Sequence, residues 1–399
     1  MNKNAQPLKF FLIAGEHSGD ALGGKLMEGL KAECEGHSID FFGLGGQAME
    51  HEGLTSLFPM EEVAVMGPTA ILARLPNLIK RVYQCVDRVL DVNPNALIII
   101  DSPEFTHPIA KRVRKKAPHI PIINYVSPTI WAWRPGRAKK MKPYVDEVLA
   151  LLPFEPDYHQ KLGGPSCHYV GHPLIEKKTW VEALDLDAFE DQYALQATKK
   201  SFVVLPGSRP NEVKHLLAPF GDVIGQLQES LGPLNLLLPT VGSMRTAIEE
   251  GVKQWPSKPI IVTSDEDKYA AFKYADAALA ASGTVTLELA ITGTPMVVAY
   301  RYDRYLKILG PLVQTEMIAL ANHILGQKAF PELIQEDCTP ENIVQKLLPL
   351  FDHSSQAYQG QKQHLNLIDE RMFAVGKSPS RIAAKQCLET MQIRQSKFS

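Results

Sequence analysis

Short apolar runs recur along the chain at residues 8–14, 39–44, 96–100, 120–126 and 147–152, and again at 202–205, 234–239, 259–263, 277–281 and 296–300. Stretches of helical spacing separate most of them, so the pattern predicts strands alternating with helices and two parallel, doubly wound sheets in an α/β chain. Gly163-Gly164-Pro165 and Gly171-His172-Pro173 break the rhythm, and the polar, acidic stretch that follows to about Lys200 marks a hinge. The expected domains are therefore 1–170 and 171–355. From Pro340 onward the pattern is helical only, with Thr339-Pro340-Glu341 as a helix start. The tail 356–399 is expected to pack on its own first domain or on a partner subunit.

Open parallel sheets bind ligands outside the carboxyl ends of their strands. Polar residues gather at those ends: Gly15 to Asp20, Asp101-Ser102-Pro103, Ser127-Pro128, Pro206 to Arg209, and Ser282 to Thr284. They are expected to line one cleft between two domains. In the second half, Pro206-Gly207-Ser208-Arg209 reads as a phosphate cradle, with free backbone N–H groups at a helix start and a guanidinium fork suited to phosphate oxygens. Ser282-Gly283-Thr284 repeats the strand-to-helix turn, and Glu288, one turn on, can accept from sugar hydroxyls. The ordinary alternative is two turns capped by Ser282 or Thr284, but their occurrence at corresponding positions favours a nucleoside-diphosphate site.

In the first half, Asp101 follows the run 96–100 and would stand at the rim of the sheet, as a catalytic carboxylate or as a helix N-cap. Ser102-Pro103-Glu104 can itself open the next helix. Residues 15–20 bring Ser, His and Asp together without the Gly-x-Ser-x-Gly elbow of a hydrolase or the dinucleotide Gly-x-Gly-x-x-Gly. Gly15, Glu16, Ser18, Gly19 and Asp20 instead read as a turn touching sugar or phosphate, with helix capping by Ser18 or Asp20 as the alternative.

Composition narrows the field. A formal net charge of −2 over 399 residues argues against a nucleic-acid partner held by global charge, although basic residues cluster at 111–116 and 134–142. Five scattered cysteines fit a reduced cytosolic chain, and no window approaches the ~18 apolar residues of a membrane span. Two Asp-x-Asp triplets, at 185–187 and 265–267, read as linker and helix start, so no metal or cofactor is expected. Ile71, Leu72, Leu75, Leu78, Ile79, Val82, Val86 and Val89 fall on helical spacing. They predict a helix pair packed on the sheet or, alternatively, an acyl-binding or membrane-facing surface. Trp131-Ala132-Trp133-Arg134, at the head of the basic cluster, suits a headgroup layer.

Taken together, these segments resemble the lipid-A-disaccharide synthase family, inverting glycosyltransferases of GT-B architecture with two Rossmann-like domains. The resemblance runs through Ala14-Gly-Glu-His-Ser-Gly-Asp20, Gly43-Leu-Gly-Gly46, Ile100-Asp-Ser-Pro-Glu-Phe105, Val126-Ser-Pro-Thr-Ile-Trp-Ala-Trp-Arg134 and Leu152-Pro-Phe-Glu-Pro156. It continues at Tyr169-Val-Gly-His-Pro-Leu174, Leu205-Pro-Gly-Ser-Arg209, Ser282-Gly-Thr-Val-Thr-Leu-Glu288 and Pro331-Glu-Leu-Ile-Gln335. It implies transfer of 2,3-diacylglucosamine from UDP onto carbon 6 of 2,3-diacylglucosamine 1-phosphate, giving the β-1,6 lipid A disaccharide and UDP. By position it implies Asp101 as base, Arg209 and Glu288 at the UDP site and Asn322 as an active-site asparagine. It further implies a peripheral enzyme on the cytoplasmic face of a Gram-negative inner membrane, and a homodimer that exchanges its helical tail. The sequence departs from the family pattern at Glu104, where the family generally has Asp, at Gln47-Ala48 and at Ala321. The rival readings are a UDP-sugar 2-epimerase and a non-catalytic UDP-sugar-binding protein.

Overall fold

The computed structural model describes residues 7–63, 68–302, 315–373 and 378–398. The chain divides into two compact units, Met1–Pro173 with Val375–Ser399, and Leu174–Ala374. The first holds seven strands: β1 Leu8–Ala14, β2 Ile39–Leu44, β3 Thr55–Ser56, β4 Ala96–Ile100, β5 Ile122–Tyr125, β6 Glu147–Ala150 and β7 Ser166–Tyr169. They lie in the order β3-β2-β1-β4-β5-β6-β7, every pair parallel. The second holds β8 Ser201–Leu205, β9 Asn235–Pro239, β10 Ile260–Val262, β11 Ala277–Ala280, β12 Met296–Tyr300 and β13 Glu332–Ile334. Their order is β10-β9-β8-β11-β12-β13, again parallel throughout. Both are doubly wound sheets whose order reverses at one point, between β1 and β4 and between β8 and β11.

Strands β4, β11 and β12 are apolar throughout, and the other central strands largely so, because helices cover both faces. Along β1 and β4 the side chains alternate. Phe11, Ile13, Leu97 and Ile99 pack against Val82, Val86 and Val89 of helix Pro68–Val92 and against Ile109 and Val113 of helix Pro103–Lys116. Phe10, Leu12, Ile98 and Ile100 face Leu26, Met27 and Leu30 of helix His17–Glu33, with Ala383, Ala384 and Cys387 of helix Pro379–Gln395 in the same cluster.

The three strands outside the sequence pattern, β3, β7 and β13, are short edge elements. Thr55-Ser56, Ser166-Cys167-His168-Tyr169 and Glu332-Leu333-Ile334 each pair on one side only and need little apolar surface. The expected helix pair near residues 69–90 is a single helix, Pro68–Val92, with Pro76 inside it. Ile71 and Leu72 fall among residues 64–74, whose side chains lie outside those described.

The tail is not one element. Helix Gln356–Phe373 belongs to the second unit, where Gln361 bonds both the N–H and the C=O of Met296. The last helix, Pro379–Gln395, returns to the first unit and packs on helix His17–Glu33, where Gly29 permits the approach: a Cβ there would lie 2.6 Å from the Ser380 carbonyl oxygen. Its far end is tied by Arg394 to Asp146 at 2.8 Å, while the other Asp146 oxygen takes Arg114 and, at 2.8 Å, the Ile122 N–H. No helix among the described residues is long and apolar enough to cross a membrane.

Gly29→Val should therefore loosen the last helix at a cost of about 1–3 kcal/mol, the usual penalty of overpacking. Peptide mapping after thiol labelling should show buried Cys387 becoming reactive in the variant; protection equal to wild type would refute this account of how the helix is held.

Candidate active site

In the first unit the loops after β1 and β4 leave neighbouring strands, Ala14 lying beside Ile100, and pass to helices on opposite faces. The β4 loop turns sharply. Asp101 and Ser102 both take left-handed backbone, with φ of 49° and 44°, a conformation that costs non-glycine residues of order 1–3 kcal/mol each. Hydrogen bonds hold them there. The Asp101 N–H donates to the Tyr125 carbonyl at 3.1 Å, and the buried Thr106 hydroxyl reaches the Asp101 and Ser102 carbonyls at 2.8 and 3.1 Å. Gly15 belongs to the same construction, since a Cβ on it would sit 2.7 Å from Ser102 Oγ.

Asp101 and Ser102 open on a cavity of about 540 Å³ that Glu16 also lines. Its apolar wall comes from helix Pro68–Val92, through Leu75, Leu78, Ile79 and Val82, and from Phe105 and Pro108. Leu75, Ile79 and Tyr83 are 44%, 49% and 48% exposed, and the Arg112 guanidinium stands 5.0 Å from the Tyr83 ring centre. Burial pushes the Asp101 carboxyl above its ordinary range; the Ser102 backbone N–H pulls it partly back, and the charge of Glu104 raises it further. The carboxylate is thereby made a better proton acceptor.

Other expected contacts of the first unit point inward. Asp20 is buried, its Oδ1 accepting from the N–H groups of Gly46 and Met49 at 2.7 and 3.1 Å and its Oδ2 from Ala48 at 2.9 Å. It thus caps helix Gln47–His51 from outside. Gly19 is buried against Ala14 and Ile100, whereas Ser18 is exposed on the first helical turn. Ser127 is buried as well, with its Oγ 2.9 Å from Nε2 of His159, which burial keeps neutral with a pKa pushed down to about 4. Trp131, expected at a headgroup layer, is buried, and its indole N–H donates to Glu155 at 3.4 Å.

In the second unit the corresponding switch point lies between β8 and β11. Gly207 adopts φ 119°, a requirement for glycine, and a Cβ there would meet Glu212 at 2.4 Å. The backbone N–H groups expected to cradle phosphate at Ser208 and Arg209 are occupied: Glu212 Oε2 accepts both, at 3.1 and 3.3 Å. Buried Glu212 stands at the third position of helix Pro210–Leu231, the carboxylate site of a capping box, and Pro210 with Glu212 was the sequence signal for it. Arg209 reaches Glu212 Oε1 at 3.2 Å but is 71% exposed, so its guanidinium can turn to a ligand.

The turn after β11 is more open. Ser282, Gly283 and Thr284 bond no backbone carbonyl through their N–H groups among the described residues, and the space beside Gly283 is empty. Glu288 lies one turn inside helix Val285–Thr292, where its Oε1 accepts from Lys268 at 3.1 Å and Tyr269 at 2.8 Å.

Asn322, expected in the active site, is fully buried. Its amide nitrogen donates to the Phe330 carbonyl and to Glu332 at 2.9 and 2.8 Å, and its oxygen accepts the Phe330 N–H at 2.9 Å. Glu332 in turn accepts the N–H groups of Ile318 and Ala319, and the Ile318 carbonyl takes the Ser282 hydroxyl at 2.8 Å. Asn322 therefore braces the open turn from behind. Glu332 is the partner that sequence reasoning passed over, although it sits in the motif 331–335. Among the described residues no group of three or more His, Cys, Asp or Glu is placed to hold a metal.

A family model described as Lipid-A-disaccharide synthetase matches residues 10–386. Lipid-A-disaccharide synthase of Rhodopseudomonas palustris (strain HaA2) is 46% identical over 385 residues, covering 96% of both chains. The enzyme of the same name from Rhodospirillum centenum (strain ATCC 51521 / SW) is 40% identical over 400 residues, covering 98% of this chain and 96% of its own. Among solved structures, UDP-GlcNAc 2-epimerase from Neisseria meningitidis bound to UDP-GlcNAc superposes with a TM-score of 0.64 at 11% identity, over 97% of this chain and 100% of that one. A glycosyltransferase from Rickettsia africae ESF-5 gives 0.60 at 11% identity, over 98% and 99%. At such identity the structural neighbours speak for the two-sheet fold alone, so the epimerase likeness carries no chemistry. With relatives of one name aligned over 96–98% of this chain at 40–46% identity, the chain belongs to the lipid-A-disaccharide synthase family.

Proposed function

We propose that Asp101 is the general base of an inverting glycosyl transfer in which a lipid-linked glucosamine 1-phosphate is the acceptor and a UDP-diacylglucosamine the donor. The 6-hydroxyl of the acceptor attacks the anomeric carbon of the donor from the face opposite UDP. As that C–O bond forms, the bond from the anomeric carbon to the diphosphate breaks, the electron pair leaves with UDP, and the hydroxyl proton passes to Asp101. The observation that carries this reading is Asp101 itself, a carboxylate made more basic by burial, held in a strained turn and opening on a cavity with an apolar wall.

Donor recognition falls to the second unit. The open N–H groups of 282–284, the exposed Arg209 guanidinium and Glu288 suit a diphosphate and a sugar hydroxyl, and negative charge growing on the leaving group is stabilised there. Since Glu212 occupies the amides of Ser208 and Arg209, the guanidinium is the principal contribution of the 206–209 turn.

Fatty acyl chains would lie along Leu75, Leu78 and Ile79, and the exposed Leu75, Ile79 and Tyr83 beside Arg112 suit peripheral contact with the anionic cytoplasmic face of a membrane. Tail exchange between two copies, implied by the resemblance, would use the surface that Pro379–Gln395 covers on His17–Glu33.

Mass spectrometry of a mixture of acylated donor, acylated 1-phosphate acceptor and protein should reveal one disaccharide 1-phosphate per UDP released. An epimerised nucleotide sugar formed without acceptor, or UDP bound but never released from donor, would contradict the reading. Arg209→Ala should weaken UDP binding about 10- to 100-fold, the worth of a charge-assisted hydrogen bond. Calorimetric titration giving wild-type affinity would remove Arg209 from the site.

A further inference from the structure

Helix Pro103–Lys116 borders two hollows that share Pro103, Glu104 and Pro108. The first is the cavity that holds Asp101. The second, of about 510 Å³, is edged by His107 and Lys111, one helical turn apart, and by Arg137 and Lys140, spaced three apart on helix Gly136–Met141. Arg134 and Tyr144 complete it.

This second hollow carries four cations against one carboxylate. Glu104 pairs with Arg137 at 2.7 Å, but Lys111, Arg134 and Lys140 pair with no carboxylate among the described residues. Two of these are set over aromatic faces, which aim a cation without neutralising it: Lys111 lies 5.1 Å from the Tyr144 ring centre and Arg134 5.1 Å from that of Trp133. Arg134 also holds left-handed backbone, φ 51°. At the buried side, His107 Nδ1 and Tyr144 Oη are 2.8 Å apart. Burial, then the charges of Arg137 and Lys111, push the His107 pKa down to about 4, so the imidazole stays a neutral hydrogen-bonding group.

We propose that this basin is a phosphomonoester subsite that takes the 1-phosphate of the acceptor sugar. The inference rests on Asp101 being the base. The phosphate on carbon 1 and the hydroxymethyl group on carbon 5 flank the ring oxygen of one pyranose, so a sugar presenting its 6-hydroxyl to Asp101 holds its anion within one ring's width, the reach of an immediately adjoining hollow. The basin shares a wall with the Asp101 cavity, is concave, and pairs surplus positive charge with a buried His–Tyr pair, which a flat headgroup-binding patch does not require.

Lys111→Gln and Lys140→Gln, singly and together, are suitable probes because both side chains are exposed and their loss should leave thermal unfolding unchanged. In neutral detergent micelles, turnover is measured with the acceptor carrying its 1-phosphate and with the same lipid sugar dephosphorylated. The double variant should raise KM for the phosphorylated acceptor about 10- to 100-fold, leave donor KM unchanged, and shrink the wild-type preference for the phosphorylated acceptor by the same factor. An unchanged KM, or equal losses on the two acceptors, would overturn the proposal. A loss confined to vesicles containing anionic lipid would overturn it in favour of a headgroup site. If the base assignment is what fails, Asp101→Asn keeps its turnover, and acceptor titration without donor still decides the basin: phosphate-dependent binding lost in the double variant upholds it, and binding equal to wild type refutes it.

Discussion

Two consecutive left-handed residues that are not glycine, Asp101 and Ser102, end the central strand β4, and the first unit is arranged to keep them so. Without support the pair would relax toward ordinary backbone and carry the carboxylate with it. Thr106 locks the two carbonyls, the Tyr125 carbonyl holds the Asp101 N–H, and the bare Cα of Gly15 leaves room for Ser102. The buried aliphatic strands beneath provide the rigid floor: all five residues of β4 are inaccessible, and β1 and β5 flank it. The strain is the cost of directing a partly buried carboxylate into a cavity whose other walls are apolar.

The second unit has the same strand order but furnishes its switch point differently. Its first turn is closed on itself by Glu212, which leaves Arg209 as an exposed cation above a satisfied backbone. Its second turn is left open and stiffened from behind through Ser282, Ile318, Glu332 and Asn322. One unit thus presents a carboxylate beside apolar surface, and the other presents donors suited to diphosphate. A glycosyl transfer from a nucleotide to a lipid-linked sugar calls for both chemistries.

The central strands were legible in the sequence because burial on both faces demands largely apolar runs, and the polar loops beyond them follow directly from where those runs stop. Asp101 was singled out that way. Its left-handed backbone was not, since only the tertiary bonds from Thr106 and Tyr125 impose it. Edge strands such as Thr55-Ser56 leave almost no apolar trace. The sequence did not show which polar side chains bond internally: Asp20 to three backbone amides, Ser127 to His159, and Asn322 to Phe330 and Glu332. A polar residue at a strand end or helix start looks the same in sequence whether it meets a ligand or a neighbouring loop. Trp131 is buried for a related reason, since an indole beside basic residues suits a buried carboxyl partner as well as a membrane interface.

The most direct measurement is turnover of Asp101→Asn against wild type across pH, with UDP affinity recorded alongside. Because the base must be ionised and burial raises its pKa, kcat/KM of the wild type should fall on acidification at a pH above the range of an ordinary aspartate. The variant should lose that limb and about 10²–10⁴-fold in rate while binding UDP as before. Turnover within a few-fold of wild type, with the acid limb intact, would contradict the account.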